Sequence, residues 1–270
     1  IKLNRTVNVV DTTAPSLTLV GEAIVTHEAA TSYSDEGATA NDTVDGSLTE
    51  NIMVTSSVDT DKVGSYAVTY RVTDSSGNES SLNRTVNVVD TTAPSLTLVG
   101  EAIVTHEAAT SYSDEGATAN DTVDGSLTES IMVTSNVDTD KVGSYEVTYL
   151  VTDSSGNESS LTRDVRVIDT TPPTITLVGD VVVSLEKLTP FEDPGATAVD
   201  SHDGDLTISI DDGGLDTATE GSYILTYTAT DAAGNAASVK RTVNVNWSVP
   251  VIVKESDVTD LGSGYYASTW

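Results

Sequence analysis

The sequence predicts an all-β chain in which tandem antiparallel β-sandwiches follow one another in a linear array. Three observations carry that expectation. The pentapeptide Asp11-Thr12-Thr13-Ala14-Pro15 recurs 79 residues later as Asp90-Thr91-Thr92-Ala93-Pro94, and after the same interval, with one change, as Asp169-Thr170-Thr171-Pro172-Pro173. Between these copies the apolar residues alternate with period two and show no helical spacing. The first two repeats differ within their strands at Asn51/Ser130, Ser57/Asn136, Ala67/Glu146, Arg71/Leu150, Asn83/Thr162, Thr85/Asp164, Asn87/Arg166 and Val89/Ile168, all odd-numbered in the first repeat. The even-numbered partners Ile52, Val54, Tyr66, Val68, Tyr70, Val72, Val86 and Val88 are unchanged. One varying and one invariant face per strand is the expectation for a sheet with a solvent side and a core side.

The period sets the domain organisation of the 270 residues. Repeats are expected at 11–89, 90–168 and 169–246. Residues 1–10 match the last strand of a repeat whose beginning is missing, so a fragment of a longer array is expected. Residues 247–270 read as a linker or the start of a truncated further domain. A unit of this size buries roughly 60–65% of its surface, so each repeat should gain from its neighbours or from a bound ion.

Within the first repeat, Ser16 to Val20 and Ala23 to His27 form a split first strand. Ser32 to Ala40 follows, with a bulge at Asp35-Glu36-Gly37. The loop Asn41-Asp42-Thr43-Val44-Asp45-Gly46 leads to a strand over Asn51 to Val58, and a turn at Asp59 to Gly64 precedes Ser65 to Thr73. In that strand Tyr66, Val68, Tyr70 and Val72 share a face. Asp74-Ser75-Ser76-Gly77-Asn78 is a tight turn, and Leu82 to Val89 closes the unit. The third repeat keeps Glu186, Asp193-Pro194-Gly195, Asp200-Ser201-His202-Asp203-Gly204, Gly221-Ser222-Tyr223 and Asp231-Ala232-Ala233-Gly234-Asn235.

The formal charge is −30, from 42 acidic against 12 basic residues, spread along the chain. Such a chain repels nucleic acid and anionic membrane, and its self-repulsion opposes compactness unless cations bind. There is no cysteine, so no disulfide stiffens these small units. No apolar run approaches the roughly 18 residues of a membrane span. No signal peptide opens the sequence, which begins mid-repeat and so says nothing about export.

Strand direction places the acids. The chain enters each repeat at one pole and leaves at the other, so Asp11, Asp42, Asp45, Asp74 and Asn78 should converge at the N-terminal pole. Glu28, Asp59 and Asp61 should gather at the C-terminal pole. In the second repeat the N-pole group is Asp90, Asp121, Asp124, Asp153 and Asn157, and the C-pole group Glu107, Asp138 and Asp140. In the third the N-pole group is Asp169, Asp200, Asp203, Asp231 and Asn235. Hard cations such as Ca²⁺ take six to eight oxygen ligands and tolerate irregular geometry, so these residues are the candidate metal ligands at the joints. Each motif is also ordinary turn chemistry when taken alone, and none matches an EF-hand loop. Their convergence at one pole, together with the charge, points to Ca²⁺.

Other groups carry less. His27, His106 and His202 are single histidines without a second histidine or cysteine nearby for zinc. No Gly-x-Ser-x-Gly or comparable nucleophile setting occurs, and no enzyme is expected. Asn4, Asn41, Asn78 and Asn83 stand in Asn-x-Ser/Thr triplets. Tyr265, Tyr266 and Trp270 read as core aromatics of a truncated domain rather than a sugar-stacking platform.

The run Tyr33-Ser34-Asp35-Glu36-Gly37-Ala38-Thr39-Ala40, then Asp42-x-x-Asp45-Gly46-x-Leu48-Thr49, Gly64-Ser65-Tyr66 and Thr73-Asp74-x-x-Gly77-Asn78, resembles a family of bacterial immunoglobulin-like repeats. That family occurs in tandem in surface and secreted proteins and in some insecticidal crystal proteins; hyalin-type repeats are similar. The resemblance spans 11–246 and implies tandem immunoglobulin-like sandwiches in an extracellular spacer or adhesin stalk. Calcium at the junctions is further suggested by architectural similarity to cadherin-like arrays, although cadherin linker motifs are absent. Expected partners are adjacent repeats of the same chain, with self-association or a surface receptor beyond them. Two alternatives stand beside the stalk: a non-catalytic linker of a secreted polysaccharide-degrading enzyme, and a filament subunit in which residues 1–10 complete a neighbour's sheet.

Overall fold

The computed structural model describes residues 2–247. They fall into two compact units: one holds the chain up to residue 105 with 112–138 and 144–166, the other 106–111, 139–143 and the chain from 167 onward. The expected strand at Val249 to Val253 and the aromatic cluster at Tyr265, Tyr266 and Trp270 lie outside the described residues.

The first repeat has seven strands, β1 (Ser16–Leu19), β2 (Ile24–Glu28), β3 (Ala38–Asp42), β4 (Gly46–Ser47), β5 (Met53–Ser56), β6 (Gly64–Thr73) and β7 (Glu79–Val89). They form a three-stranded sheet in the order β1-β3-β4 and a four-stranded sheet in the order β2-β7-β6-β5. The second repeat has β8 (Ser95–Leu98), β9 (Ile103–Glu107), β10 (Ala117–Asp121), β11 (Gly125–Ser126), β12 (Met132–Ser135), β13 (Gly143–Thr152) and β14 (Glu158–Ile168), in the same two orders. The third has β15 (Thr174–Leu177), β16 (Val182–Glu186), β17 (Ala196–Asp200), β18 (Gly204–Leu206), β19 (Ser209–Asp211), β20 (Gly221–Thr230) and β21 (Ala236–Asn246), again with the same topology.

The core lies between the sheets. Val68, Tyr70, Val86 and Val88 are buried, with Leu17, Leu19 and Ile52 packed against them. In the third repeat Leu225, Tyr227 and Val243 do the same with Ile175 and Leu177. Alternation follows the period-two expectation along β6 and β7, whose register runs from Gly64↔Val88 to Thr73↔Glu79. It fails on β5, an edge strand in which Met53 is 74% and Val54 55% exposed. An edge strand has a neighbour on only one side, so its invariant valine need not mark the core.

Two further expectations are corrected. The split first strand changes sheets: β1 pairs antiparallel with β3, whereas β2 pairs parallel with β7 from Ile24↔Thr85 to Glu28↔Val89. Each sandwich is therefore not purely antiparallel. The crossing is made at Gly21, whose φ is +77° and where a Cβ would meet the Glu36 carboxylate at 1.8 Å. Ser32–Gly37 is not a strand; its backbone wraps Asp35 instead, and Gly37 N–H donates to Asp35 Oδ1 at 2.8 Å. Residues 2–10 form no strand and lie exposed, although Leu3–Val10 repeat the sequence of Leu82–Val89.

Sequence periodicity did not single out the arginine at the centre of β7. Arg84 is 1% exposed on a core-facing position. Its guanidinium donates from Nη1 to Asp35 Oδ2 at 2.6 Å, from Nε to Glu22 O at 2.9 Å, and from Nη2 to Val20 O. Asp35 also accepts from the hydroxyls of Tyr33 and Tyr70. Burial pushes the Asp35 carboxyl up, but the donors from Tyr70, Tyr33 and Arg84 outweigh it and hold it below its ordinary value. Burial and the Asp35 carboxylate push the Tyr70 phenol well up. Arg163–Asp114 and Arg241–Asp193 repeat the pair, and Tyr227 is pushed up to about 12 by burial and by Asp193. Phe191 replaces Tyr33 in the third repeat and packs on the core, so that carboxylate receives one phenol fewer.

Removing one partner of a buried pair leaves the other unpaired and costs about 3–5 kcal/mol. Arg84→Ala should therefore lower the stability of the first repeat by that amount in urea unfolding. Arg71→Ala, which breaks the exposed 2.8 Å pair with Glu79, should cost less than about 1 kcal/mol. The depressed Asp35 value also fixes a sign: its contribution is complete above its ordinary value of 3.8 and is lost as pH falls through the lower folded value.

Candidate metal centres at the repeat poles

The N-terminal pole of each repeat is built from three loops. The joint pentapeptide supplies one aspartate, the Asp-x-x-Asp-Gly loop two, and the β6–β7 turn a fourth with its asparagine. In the turn, Gly77 adopts φ +90°, and Asp74 accepts from Ser76 N–H at 2.9 Å, Asn78 N–H at 2.8 Å and Asn78 Nδ2 at 2.8 Å. Burial raises the Asp74 carboxyl, but the Asn78 and Ser76 donors prevail and hold it low. Asn78 Nδ2 then reaches Asp11 O and Thr13 O, both at 3.3 Å, tying the turn to the joint. Ser75 ties it to the second loop, donating N–H to Asp45 Oδ2 at 2.9 Å and its hydroxyl to Asp45 Oδ1 at 2.8 Å.

Each pole therefore brings together the expected acids. Carboxylate oxygens of Asp11, Asp42 and Asp45 lie within 4.8 Å of one another, as do those of Asp90, Asp124 and Asp153, and those of Asp169, Asp200 and Asp203. Asp121 and Asp231 stand beside these groups, their charges acting on Asp90 and Asp169 respectively. Asn157 and Asn235 repeat the Asn78 tie, to Asp90 O at 3.2 Å and Asp169 O at 3.1 Å.

The oxygens divide unequally. Asp42 Oδ1 accepts from Val44 N–H at 2.7 Å and Asp45 N–H at 3.0 Å, and Asp11 Oδ1 from Thr13 N–H at 3.0 Å. The Oδ2 atoms of Asp11, Asp42, Asp90, Asp121, Asp169 and Asp200 are buried and receive no hydrogen bond. Asp121 is 3% and Asp90 6% exposed. A buried carboxylate oxygen with no donor is costly, and here two occur at every pole. The carboxyl of Asp90 is accordingly raised, by burial first and then by the charges of Asp121 and Asp153. Asp169 is raised by burial and by Asp200, Asp231 and Glu107.

The C-terminal pole acids behave differently. None of Glu28, Asp59, Asp61, Glu107, Asp138 and Asp140 falls in the oxygen groups found among the described residues. The Glu28 carboxylate is already occupied: it accepts from Thr91 N–H at 2.9 Å, Thr91 Oγ1 at 2.8 Å and Thr92 Oγ1 at 2.8 Å. Glu107 grips Thr170 and Thr171 in the same way, and those donors lower its carboxyl to about 2. Asp59 accepts from Asp61 N–H at 3.1 Å and lies 3.5 Å from Lys62 Nζ. The joint is thus held by a glutamate–threonine clasp that the sequence reading missed; the Thr-Thr repeated in every pentapeptide is its signal. Val123, in the loop of the second repeat, also packs against the core of the first.

His27 hydrogen-bonds with Thr31 and meets the Tyr33 ring edge-on at 5.2 Å, and His106 hydrogen-bonds with Thr110. His202 Nε2 lies 4.0 Å from Asp203 Oδ1. No helix among the described residues is long and apolar enough to cross a membrane.

The chain matches the family described as bacterial surface protein, Ig-like domain, over residues 17–88, 96–167 and 175–245. It is 32% identical over 206 residues to the pesticidal crystal protein Cry22Aa of Bacillus thuringiensis, covering 73% of this chain and 28% of that protein. It is 32% identical over 266 residues to hyalin of Lytechinus variegatus, covering 89% of this chain and 48% of the relative. The chain thus spans less than half the length of either. Among solved structures, mouse cadherin-23 EC22-24 is similar with a TM-score of 0.33 and 17% identity, covering 87% of this chain and 99% of that one. Matched in all three repeats, the chain belongs to the bacterial surface protein Ig-like domain family, and its repeats are non-catalytic β-sandwich domains.

Proposed function

We propose that this chain is an extracellular spacer of a bacterial surface protein whose joints are stiffened by Ca²⁺. It would hold an adhesive module away from the cell. The observation that carries the reading is the pair of buried, donorless carboxylate oxygens at the pole of every repeat. A hard divalent cation satisfies both at once and offsets the burial and the like charge that together raise Asp90 and Asp169. Asp90, Asp121 and Asp124 would hold it in the second repeat, and Asp169, Asp200 and Asp203 in the third. All-oxygen donors of irregular arrangement suit Ca²⁺ better than the strict octahedron of Mg²⁺. Surface location is supported by the family. The cation acts on the joint because Asp90 lies next to Thr91 and Thr92, the donors that Glu28 grips. Fixing Asp90 fixes the threonine end of the clasp.

Ligand binding to the folded state alone adds about 2.7 kcal/mol at a hundredfold excess over the dissociation constant. For a domain of this size that is roughly 10–20 °C in melting temperature. Calcium should raise the melting temperature by about that much over the EDTA-treated protein and narrow the spread of sizes in solution scattering. Asp90→Asn with Asp121→Asn should abolish the part due to the second repeat. Unchanged melting and scattering on chelation would contradict the proposal.

The cation-free protein should also show an inverted acid response. A carboxyl raised in the folded state costs stability at neutral pH, and that cost is relieved as pH falls through the raised value toward the ordinary 3.8. Asp35 and Asp74, held low, begin to lose their contribution only below 3.8. Urea midpoints of the EDTA-treated protein should therefore rise on mild acidification from pH 7 before they fall. With calcium bound, mild acid should only lower them.

A further inference from the structure

We propose that each repeat is built to carry tension from end to end, through a shear clamp made of its first and last long-sheet strands. The inference is independent of any bound cation. The first and last strands of the four-stranded sheet, β2 and β7, lie side by side and run parallel, from Ile24↔Thr85 to Glu28↔Val89. The third repeat repeats the pairing, with β16 and β21 in register from Val182↔Thr242 to Glu186↔Asn246.

A pull on the two ends of a repeat arrives at these strands in opposite senses. The chain leaves by the C-terminal end of β7, while the opposing load enters on the N-terminal side of β2 through β1. Two parallel strands drawn apart along their axes slide past one another. All hydrogen bonds of the ladder are then strained together and must fail together. In an antiparallel hairpin opened from its free ends they fail one at a time. Because forced unfolding is governed by the unfolding barrier, the same bonds resist far more in the first geometry.

Three details extend the clamp beyond the ladder. Bonds at both margins of β2 prolong it, Thr85 N–H to Ala23 O at 2.9 Å and Ala29 N–H to Val89 O at 2.7 Å. Arg84, on β7, holds the segment that joins β1 to β2 through Val20 O and Glu22 O, so the load cannot peel that link away first. Ser80 Oγ, also on β7, donates to Pro15 O just ahead of β1. β7 thus grips the incoming chain before β1, after β1 and along β2. The edge strand β5 pairs only with β6 and stands outside this path.

Single-molecule force spectroscopy on the full chain tests the inference. The chain contains no cysteine, so engineered pairs define the pulling axis. Handles at the chain ends should give unfolding peaks for the repeats at least twice the force seen when the first repeat is pulled through Ser65→Cys and Asn87→Cys, cross-strand partners that open the β6–β7 hairpin from its free ends. Equal forces along the two axes would overturn the proposal. In end-to-end pulling, Val25→Pro interrupts the β2 ladder and should lower one peak by half or more. Val72→Ala, buried in β6, should lower the melting temperature with little change in force. Equal loss of force in both variants, or none in Val25→Pro, would overturn it too. Should Val25→Pro leave the repeat unfolded, the comparison of axes on the intact ladder decides.

Discussion

Two carboxylate oxygens at the pole of every repeat are buried without a donor, and most of what is specific to this chain depends on how that is resolved. The backbone satisfies one oxygen of each aspartate and fixes its orientation; Asp121 Oδ1, for example, accepts from Val123 N–H at 2.7 Å and Asp124 N–H at 3.0 Å. The other oxygen is turned away from every donor. Such an arrangement is expensive in a cation-free protein, because burial and like charge both work against ionisation. It is favourable when a cation supplies what the protein withholds. The carboxylates of the pole differ in this respect. In the second repeat Asp153, saturated by three donors from Ser155 and Asn157, is held low, whereas Asp90, left half bare, is raised. Side chains of one type at one pole thus divide into those that shape the site and those that would bind.

The same economy appears in the core. A repeat of about 80 residues has little apolar interior, and this one has no disulfide. Its place is taken by the Arg84–Asp35 pair, which ties the last strand to the segment between the second and third strands and, through Val20 and Glu22, to the crossing between the first and second. Replacing a buried ion pair by apolar groups is often neutral or stabilising, so specificity is the better account of its retention. Arg84 fixes which backbone carbonyls meet β7 and hence the parallel register of β2.

Much of this was legible in the sequence. The 79-residue period, the period-two alternation of Tyr66 to Val72, and the pole shared by Asp11, Asp42, Asp45, Asp74 and Asn78 all follow from residue types and strand direction. What escaped was of another kind. Arg84 sits on a core-facing position where a charge is not expected, and nothing local to β7 names Asp35 as its partner. The parallel pairing of β2 depends on the chain crossing sheets at Gly21, which reads as an ordinary turn. Val54 looked like core because it is invariant between repeats, yet an edge strand leaves it exposed. Glu28 was grouped with the cation ligands by pole alone. Its threonine partners lie 63 and 64 residues away and satisfy it by hydrogen bonds instead. Long-range pairings of this sort are set by tertiary packing and leave only indirect traces, such as the doubled threonine of each joint.

The account rests on the claim that the donorless oxygens are cation ligands. The most direct test is anomalous diffraction from crystals of the chain grown with calcium. The account predicts a peak at each joint within bonding distance of Asp90 Oδ2 and Asp121 Oδ2, and of Asp169 Oδ2 and Asp200 Oδ2. Well-ordered poles in which those oxygens meet only water or protein donors, with no anomalous signal, would contradict it.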